Sequence, residues 1–292
     1  MNDNRSDAYI PAEMARRAEA SGVRKANRDL ISAFFLAIQA GAFIAFGAVL
    51  FTHVVHDSTL AVGMTKLIGG LAFSLGLILV VIAGADLFTG DTLMVMACFT
   101  RAITYRQMLR SWTIVFIGNL IGSLAIVLLV HLSGHWLGHD GTIGAEALSI
   151  ANAKVNLTPV QAFTSGMLCN ILVCLAIWLC YSARSVTDKI LAILFPITAF
   201  VALGFEHSIA NMYFIPAGLL LKSNPKCVEL LNGADLSNLT ISAEEVVRGL
   251  DLSLGVYNLF DEYYETAGSG EHYQTGLEQH GRNFLFKTTY SF

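Results

Sequence analysis

The sequence predicts an all-α membrane protein that crosses the bilayer several times as an inverted repeat with two broken helices. Of its 292 residues, 54% are hydrophobic and only 14% are charged, which is more apolar surface than one soluble core can bury. Crossing a bilayer core of about 30 Å takes roughly 20 apolar helical residues. Three charge-free runs have that length: Leu30–Phe51, Trp112–Leu132 and Leu157–Tyr181. Two longer apolar regions, Leu67–Thr100 and Ile190–Leu221, contain acidic residues and are expected to be broken spans.

The first segment, residues 1–30, is predicted to be an amphipathic helix on the cytoplasmic face. Pro11 suits a first helical turn, and alanines follow at helical spacing towards Leu30. Basic residues precede the first span and join the second to the third, whereas the loops on the other side hold only Lys66 and Lys154. The positive-inside rule therefore predicts a cytoplasmic N-terminus.

Residues 31–221 form the predicted transmembrane body of five spans. Their order is plain helix, broken helix, plain helix, then plain helix, broken helix, which is typical of an inverted repeat. A third plain helix is expected to complete the second half. Irregular backbone is tolerated at membrane depth only where it is buried or lines a cavity, so the two breaks indicate a transport path.

The second break contains the segment GFEHSIAN, Gly204–Asn211. An ionisable pair inside a span is energetically costly and therefore indicates function. We predict that His207 faces the path, because an imidazole can donate a hydrogen bond or a proton to a small carboxylate. Glu206 faces another direction on a helix and is expected to accept hydrogen bonds from loop backbone or from a neighbouring subunit. The alternative for His207 is a buried histidine with a structural role.

The first break contains the segment GADLFTGDT, Gly84–Thr92. Its glycines suit an irregular loop, and Asp86 or Thr89 could cap the half-helix that follows. The N-terminus of a half-helix carries a partial positive charge, which favours an anion in the break. Thr89 is therefore either a residue of the path or only a helix cap.

Two amides lie within apolar spans. Asn119, in GNLIG, is expected to join helices by hydrogen bonds, and the pair Gly118 and Gly122 predicts close helix packing. Asn170, in GMLCNILVC, has the same structural alternative.

Three histidines, His131, His135 and His139, recur at a spacing of four near the end of the third predicted span. On one continuous helix they would share a face and could bind a metal ion or haem. Glycines between and after them argue against a continuous helix, so we predict no metal site and no cofactor, with ligation kept as a weaker alternative. Neither HExxH nor GxSxG occurs, and no enzyme activity is predicted.

Three stretches of the body carry a family resemblance: FSLGLILVVIAGADLFTGDTL, CYSARS and GFEHSIANMYFIPAG. Through them, residues 1 to about 240 resemble the formate channels of the formate/nitrite transporter family. The resemblance implies an aquaporin-like fold and a homopentamer in a bacterial inner membrane, with one pore per subunit. It further implies passage of formate or related small anions and no nucleic-acid partner.

The same resemblance gives individual residues expected roles. Phe73 and Phe200 match an aromatic constriction on the periplasmic side, and Leu77 with the loop around Thr89 matches a cytoplasmic slit. His207 and Thr89 match a central polar pair. The other matches are Asn170 and Asn211 near that pair, and the vestibule lysines Lys25 and Lys154.

Residues 222–292 form an atypical tail. They carry 5 basic and 10 acidic residues, against 13 and 12 in residues 1–221, and no run long enough for a sixth span. The segments LSLGVYNLF and NFLFKTTYSF alternate near period two, which predicts a β-hairpin or a disordered tail. From about Gly249 the tail resembles the last strands of TonB-dependent outer-membrane receptors. The alternatives to a formate channel are therefore a non-transporting fusion without the last helix, and a nitrite-selective channel.

Overall fold

The structure, a computed structural model, describes residues 8–231, 233–239, 241–247, 250–257, 264–266, 277–279 and 283–290. Its helices are α1 (Pro11–Ala26), α2 (Leu30–Val55), α3 (Val62–Ala83), α4 (Phe88–Asp91), α5 (Val95–Phe99), α6 (Tyr105–Leu132), α7 (Thr142–Val155), α8 (Pro159–Ser182), α9 (Val186–Leu203), α10 (Ser208–Leu221) and α11 (Pro225–Glu229).

Five of these helices, α2, α3, α6, α8 and α9, are long and apolar enough to cross a membrane. They confirm the five predicted spans. The helix starts follow from local capping: the Asp29 carboxylate accepts a hydrogen bond from the Ser32 N–H at the start of α2 (2.8 Å). Thr104 and Gln107 form a capping box that starts α6 seven residues before the predicted Trp112.

Both long apolar regions are broken, as the sequence predicts. The first runs from α3 through residues 84–87 into α4, a short 3-10 helix at Thr92–Met94, and α5. The second runs from α9 through residues 204–207 into α10. Each helix before a break ends at a glycine with φ of 74°, Gly84 or Gly204, because a left-handed residue closes a helix C-terminus at little cost only when it lacks a side chain.

Small residues set the closest helix contact, between α2 and α6. A Cβ added at Gly122 would lie 1.9 Å from the Ile38 carbonyl oxygen, and one at Gly118 would lie 2.5 Å from the Ala37 Cβ. Gly41 on α2 meets the Asn119 carbonyl oxygen in the same way, at 2.0 Å. The predicted close packing at Gly118 and Gly122 is confirmed, since α2 and α6 approach too closely for any larger side chain at these positions.

Two features at the ends of the spans complete the body. The helix α1 buries Met14, Ala18, Gly22 and Ala26, four residues apart, against α5, α6 and α8. The helix α7 was not predicted, because its 14 residues include Glu146 and Lys154 and are too short to span. It packs against α10 and so supports the second broken helix.

The loop before α7 is irregular at the positions where the glycines predict it. Left-handed Gly134 (φ 70°) ends the α6 helical path, and two short 3-10 helices, His135–Leu137 and His139–Gly141, follow. The three histidines of this region therefore share no helical face. His131 instead lies against Trp136, with ring centroids 5.5 Å apart.

The described part of the tail contains the strands β1 (Ile241–Val247), β2 (Leu250–Tyr257), β3 (Tyr264–Thr266), β4 (Leu277–Gln279) and β5 (Asn283–Tyr290). The strand β2 pairs antiparallel with β1 and with β5, and β3 pairs with β4. In the β2–β5 register Leu250 faces Tyr290 and Tyr257 faces Asn283, so the two segments whose alternation predicts a hairpin are partners. Residues 258–263 and 291–292, which belong to the receptor-like stretches, lie outside the described residues.

Candidate functional site

The two breaks have the same local architecture. Both consist of four residues, 84–87 and 204–207, and both begin with a glycine at φ 74° whose ψ is 26° or 28°. In both, the next N–H donates back to a carbonyl in the last turn of the preceding helix, from Ala85 to Val80 (3.0 Å) and from Phe205 to Phe200 (2.9 Å). The third residue of each break is acidic, Asp86 or Glu206. Two copies of one helix break therefore lie in the two halves of the body.

The first break is held by one amide from a neighbouring span. The Asn119 side chain, which is 0% exposed, donates to the carbonyl oxygens of Ala37 (2.7 Å) and Asp86 (3.0 Å). Its own oxygen accepts from the Phe88 N–H (3.0 Å), the first amide of the half-helix. The predicted helix-joining role is confirmed. Asn119 also satisfies both a carbonyl and an N–H that the break leaves without helical partners.

The second break is held by side chains around Glu206. Its N–H donates to the Ser165 hydroxyl on α8 (3.0 Å). Its carboxylate accepts from Lys154 Nζ (2.9 and 3.1 Å) and from Asn211 Nδ2 (2.7 Å). Among the described residues, the donors to this carboxylate are therefore side chains of the same chain, whereas the sequence predicts donors from loop backbone or from a neighbouring subunit. Asn211 lies beside Glu206, and the pair ties α10 to the break.

His207 makes two hydrogen bonds: one ring nitrogen accepts and the other donates. Nδ1 accepts from the Ala210 N–H (3.0 Å), so His207 is the N-cap of α10. A backbone N–H can only donate, so the neutral ring carries its proton on Nε2. Nε2 lies 3.1 Å from the Thr89 hydroxyl of the other half, and it donates there. Both side chains are buried, at 4% exposure.

Neither residue proposed as a cap for the first half-helix has that role. The N-cap position of α4 is Leu87, whose own side chain makes no capping hydrogen bond. The Thr89 hydroxyl bonds His207 instead, and Asp86 pairs with cations of α1 and its flanking residues. The capping function is taken over by Asn119, which is 31 residues away from Phe88 in sequence.

Aromatic rings surround the imidazole. The Phe200 ring stacks on His207 at 5.7 Å with a 20° interplanar angle, and Phe73 lies 6.4 Å from the same imidazole. Phe73 and Phe200 meet edge to face at 5.8 Å. Leu77, one turn from Phe73 on α3, is 2% exposed. The polar pair of His207 and Thr89 therefore lies in a narrow, apolar neighbourhood.

Two cavities approach this neighbourhood from opposite ends of the body. The first has a volume of about 320 Å³ and is lined by Lys25, Arg28, Leu77, Asp86 and Asp91, among others. The second has a volume of about 760 Å³, and its walls include Phe73, Phe200, Lys154, Glu206 and His207. Because Phe73 and Leu77 are one helical turn apart, the constricted layer between the cavities is thin.

The two lysines expected in the vestibules are both ion-paired. Lys25 contacts Asp91 and lies 3.2 Å from Asp86, which also pairs with Arg28. Burial alone would lower the pKa of Lys25, but Asp91 and Asp86 outweigh it, so the pKa is raised and the ammonium stays charged. Lys154 pairs with Glu206. Because both ammonium groups are already paired with carboxylates, we expect them to attract an anion less strongly than two unpaired lysines would.

Asn170 contacts Thr92, the residue that follows the first half-helix, α4. Its Nδ2 donates to the Thr92 hydroxyl (3.1 Å), and the same hydroxyl lies 3.2 Å from the Cys174 thiol. Sequence reasoning missed Cys174, Ser165 and the role of Asp91. Of these, Asp91 alone had a visible signal, as a second acid in a broken apolar region.

Comparisons with known proteins show similarity over most of the chain. The family model described as "Formate/nitrite transporter" matches residues 12–244. The "Formate channel FocA" of Escherichia coli strain K12 is 46% identical over 221 residues, which are 75% of this chain and 78% of that protein. The FocA channel of Haemophilus influenzae is 44% identical over 216 residues, covering 74% and 76% of the two chains.

Solved structures of two channels are similar to this chain in fold. A "Pentameric formate channel with formate bound" superposes with a TM-score of 0.64 at 39% identity, covering 72% of this chain and 83% of that one. An "FNT family ion channel" superposes with a TM-score of 0.65 at 29% identity, covering 78% and 93%.

Proposed function

The chain belongs to the formate/nitrite transporter family, and on that premise we propose that it is a membrane channel for formate and similar small monovalent anions. It is a multi-pass membrane protein and a member of a family of channels, not of enzymes. The basic residues around the first span support a cytoplasmic N-terminus in a bacterial inner membrane.

The observation that carries this function is the hydrogen bond between His207 Nε2 and the Thr89 hydroxyl. It joins the two halves of the repeat between two cavities that open towards opposite ends of the body. A bare carboxylate in apolar surroundings is costly, because its lost hydration is not replaced. The Nε2–H and the Thr89 hydroxyl are two donors that can replace part of it.

The tautomer of His207 favours hydrogen-bond donation over full proton transfer. Giving up the Nε2 proton would leave an anionic ring unless Nδ1 took up a proton at the same time. Nδ1 is occupied as the acceptor of the Ala210 N–H, so that exchange would break the cap of α10. Formate thus accepts a hydrogen bond from Nε2 while the ring stays neutral. The positive end of the 14-residue α10 adds to the attraction.

Size selection follows from the rings. Phe73 and Phe200 touch edge to face and line the second cavity, and the buried Leu77 lines the first. An anion of three heavy atoms requires only small movements of these side chains, whereas a branched or longer carboxylate requires them to separate. We expect formate and nitrite, which are alike in size and charge, to share the path.

The assembly state is proposed to be a homopentamer, by similarity to a pentameric formate channel. The surface of the body supports contacts with lipid or with other copies, since α6 leaves a stripe of apolar side chains exposed: Ile117, Ile121, Leu124 and Leu128. Native mass spectrometry of the purified protein tests this state, and a monomer at all detergent conditions contradicts it.

A second candidate, a chain that inserts without transporting, is favoured by one asymmetry. The first break is held by Asn119 of α6, the plain helix that follows it in its half. Within residues 8–231 and 233–239, no equivalent helix follows the second break, which relies on Ser165, Lys154 and Asn211.

Formate flux separates the two candidates. Proteoliposomes with the full chain should release labelled formate faster than empty liposomes, and acetate or lactate more slowly than formate. Release equal to that of empty liposomes, from a protein that elutes as a single folded species, contradicts the channel and supports the non-transporting chain.

A further inference from the structure

Four histidines come together at the end of the body remote from α1. His53 and His56 lie on and just after the last turns of α2, and His135 and His139 lie in the two 3-10 segments before α7. The His53 ring is 5.2 Å from His56, 5.4 Å from His135 and 5.9 Å from His139, centroid to centroid. His56 and His139 are 5.0 Å apart. We call these four residues the histidine cluster.

The spacing of the rings fits a shared metal ion. Imidazoles bound to one tetrahedral ion through nitrogens at about 2.0–2.1 Å have ring centroids roughly 5 Å apart. The four measured separations, 5.0 to 5.9 Å, lie at or slightly above that distance.

Two ring nitrogens of the cluster have no hydrogen-bond partner among the described residues and are therefore available to bind a metal ion. In the described part of the chain, His53 Nδ1 and His135 Nε2 are buried and have no hydrogen-bond partner. Leaving such atoms unpaired is unfavourable unless a ligand satisfies them. His56 Nδ1 contacts the His53 carbonyl oxygen, so its proton is fixed there and its Nε2 lone pair is available, as is usual for metal-bound histidines.

The local charge also suits a cation held by neutral rings. Burial first, and then the neighbouring histidines, lower the pKa of His135 from its ordinary value. Glu146 on α7 interacts electrostatically with His56. With the side chains as they stand, no group of three or more His, Cys, Asp or Glu among the described residues could hold a metal ion, so the proposed binding requires the rings of the cluster to rotate towards one another.

We propose that the histidine cluster binds one divalent transition-metal ion, of which Zn²⁺ is the probe, and so ties the end of α2 to the loop before α7. Imidazole ligands suit Zn²⁺, Ni²⁺ and Cu²⁺ alike. The cluster is separate from the pore pair, since His207 lines the second cavity and the four cluster histidines line neither cavity. The sequence predicts no metal site, and its alternative ligand set was His131, His135 and His139. The cluster differs from that set, because His131 packs on Trp136 and His53 and His56 take part instead.

The test is Zn²⁺ binding to the full-length, tag-free protein in detergent, measured by equilibrium dialysis with elemental analysis. The wild type should bind one ion per chain with saturation, and its Tm should rise with added Zn²⁺. The variant H53A/H135A should bind Zn²⁺ more weakly by roughly a hundredfold or more. Removing residues that only hydrogen-bond to metal ligands already lowers metal affinity by about tenfold to a hundredfold, and this variant removes two of the ligands themselves. The variant H139A removes an exposed ligand and guards against a folding defect in the double variant.

A matched control removes the histidines that belong neither to the cluster nor to the pore pair. The variant H131A/H272A/H280A should bind Zn²⁺ like the wild type. Co²⁺ in place of Zn²⁺ should give the intense visible bands of tetrahedral coordination in the wild type and in this control only. The proposal is overturned if the wild type shows no saturable binding, or if H53A/H135A and H139A both bind with wild-type affinity. Formate flux plays no part in this readout, so it stands apart from the test of the channel.

Discussion

The double role of His207 permits a pair of substitutions that separate folding from conduction. Nδ1 caps α10 through the Ala210 N–H, and Nε2 donates towards Thr89. In His207→Asn, the side-chain oxygen can replace Nδ1 as a cap, but no donor reaches the position of Nε2. In His207→Gln, the amide nitrogen reaches about as far as Nε2, but the cap is lost.

The magnitudes follow from the two bonds. A hydrogen bond to a charged group contributes about 1.5–3 kcal/mol. Since about 1.4 kcal/mol is a factor of ten in rate, removing the Nε2–H donor should slow formate flux roughly tenfold to a hundredfold. Loss of an N-cap costs about 1 kcal/mol. We therefore expect His207→Asn to be stable and slow, and His207→Gln to be less stable but faster than the Asn variant.

The assay is efflux of labelled formate from proteoliposomes with matched protein content, together with thermal unfolding in detergent. The apolar ring of Phe200 stacks on the imidazole, so both variants also lose that contact, and the comparison between them cancels this shared effect. Wild-type flux in His207→Asn, with normal incorporation into the liposomes, would refute the assignment of Nε2–H as the donor to the anion.

Three further variants test the framework of the site. Asn119→Ala leaves the Phe88 N–H and the Asp86 carbonyl without the amide that pairs with them, and it removes the bond to the Ala37 carbonyl of α2, so the free energy of unfolding should fall by roughly 2–4 kcal/mol; an unchanged Tm would show that the amide is dispensable. Gly122→Ala places a Cβ 1.9 Å from the Ile38 oxygen and should destabilise by about 1–3 kcal/mol, whereas Gly63→Ala, with nothing within 4 Å, should not; equal effects contradict the packing argument. Lys154→Met leaves the Glu206 carboxylate without its cation, so it should lower both Tm and flux, and Glu206→Gln in the same chain should restore part of the loss. Additive losses in that double variant would mean that the two residues act independently.

Much of the fold could be predicted because its determinants are local. Span length, the charges that interrupt two apolar regions, and the glycines at 84 and 204 are properties of short segments. By contrast, α7 was missed, since a 14-residue helix with two charged residues has neither the length nor the composition of a span. Its place is set by packing on α10.

Within the candidate site, the sequence indicated the polar residues but assigned several partners incorrectly. Asp86 and Thr89 stood next to a half-helix as alternative candidates for its cap, yet the amide of Asn119 caps it from another helix. The lysines that the resemblance placed in the vestibules each have an acidic partner, which the sequence did not indicate. Residues close in sequence do not predict these hydrogen-bond partners. The side chains in and beside the two breaks bond instead to residues of other helices, 31 to 118 positions away in sequence.

The sequence by itself determined that this protein has five apolar spans and two helix breaks at corresponding places, because hydrophobic length and left-handed glycines act within a few residues. The family resemblance indicated that His207 meets Thr89, 118 residues away. Only the tertiary structure decided which other polar groups meet: Lys154 with Glu206, 52 residues apart, and two histidines at the end of α2 with two of a distant loop. Those pairs depend on the packing of whole helices against one another. In an apolar interior each buried polar group must find a partner wherever the fold places one.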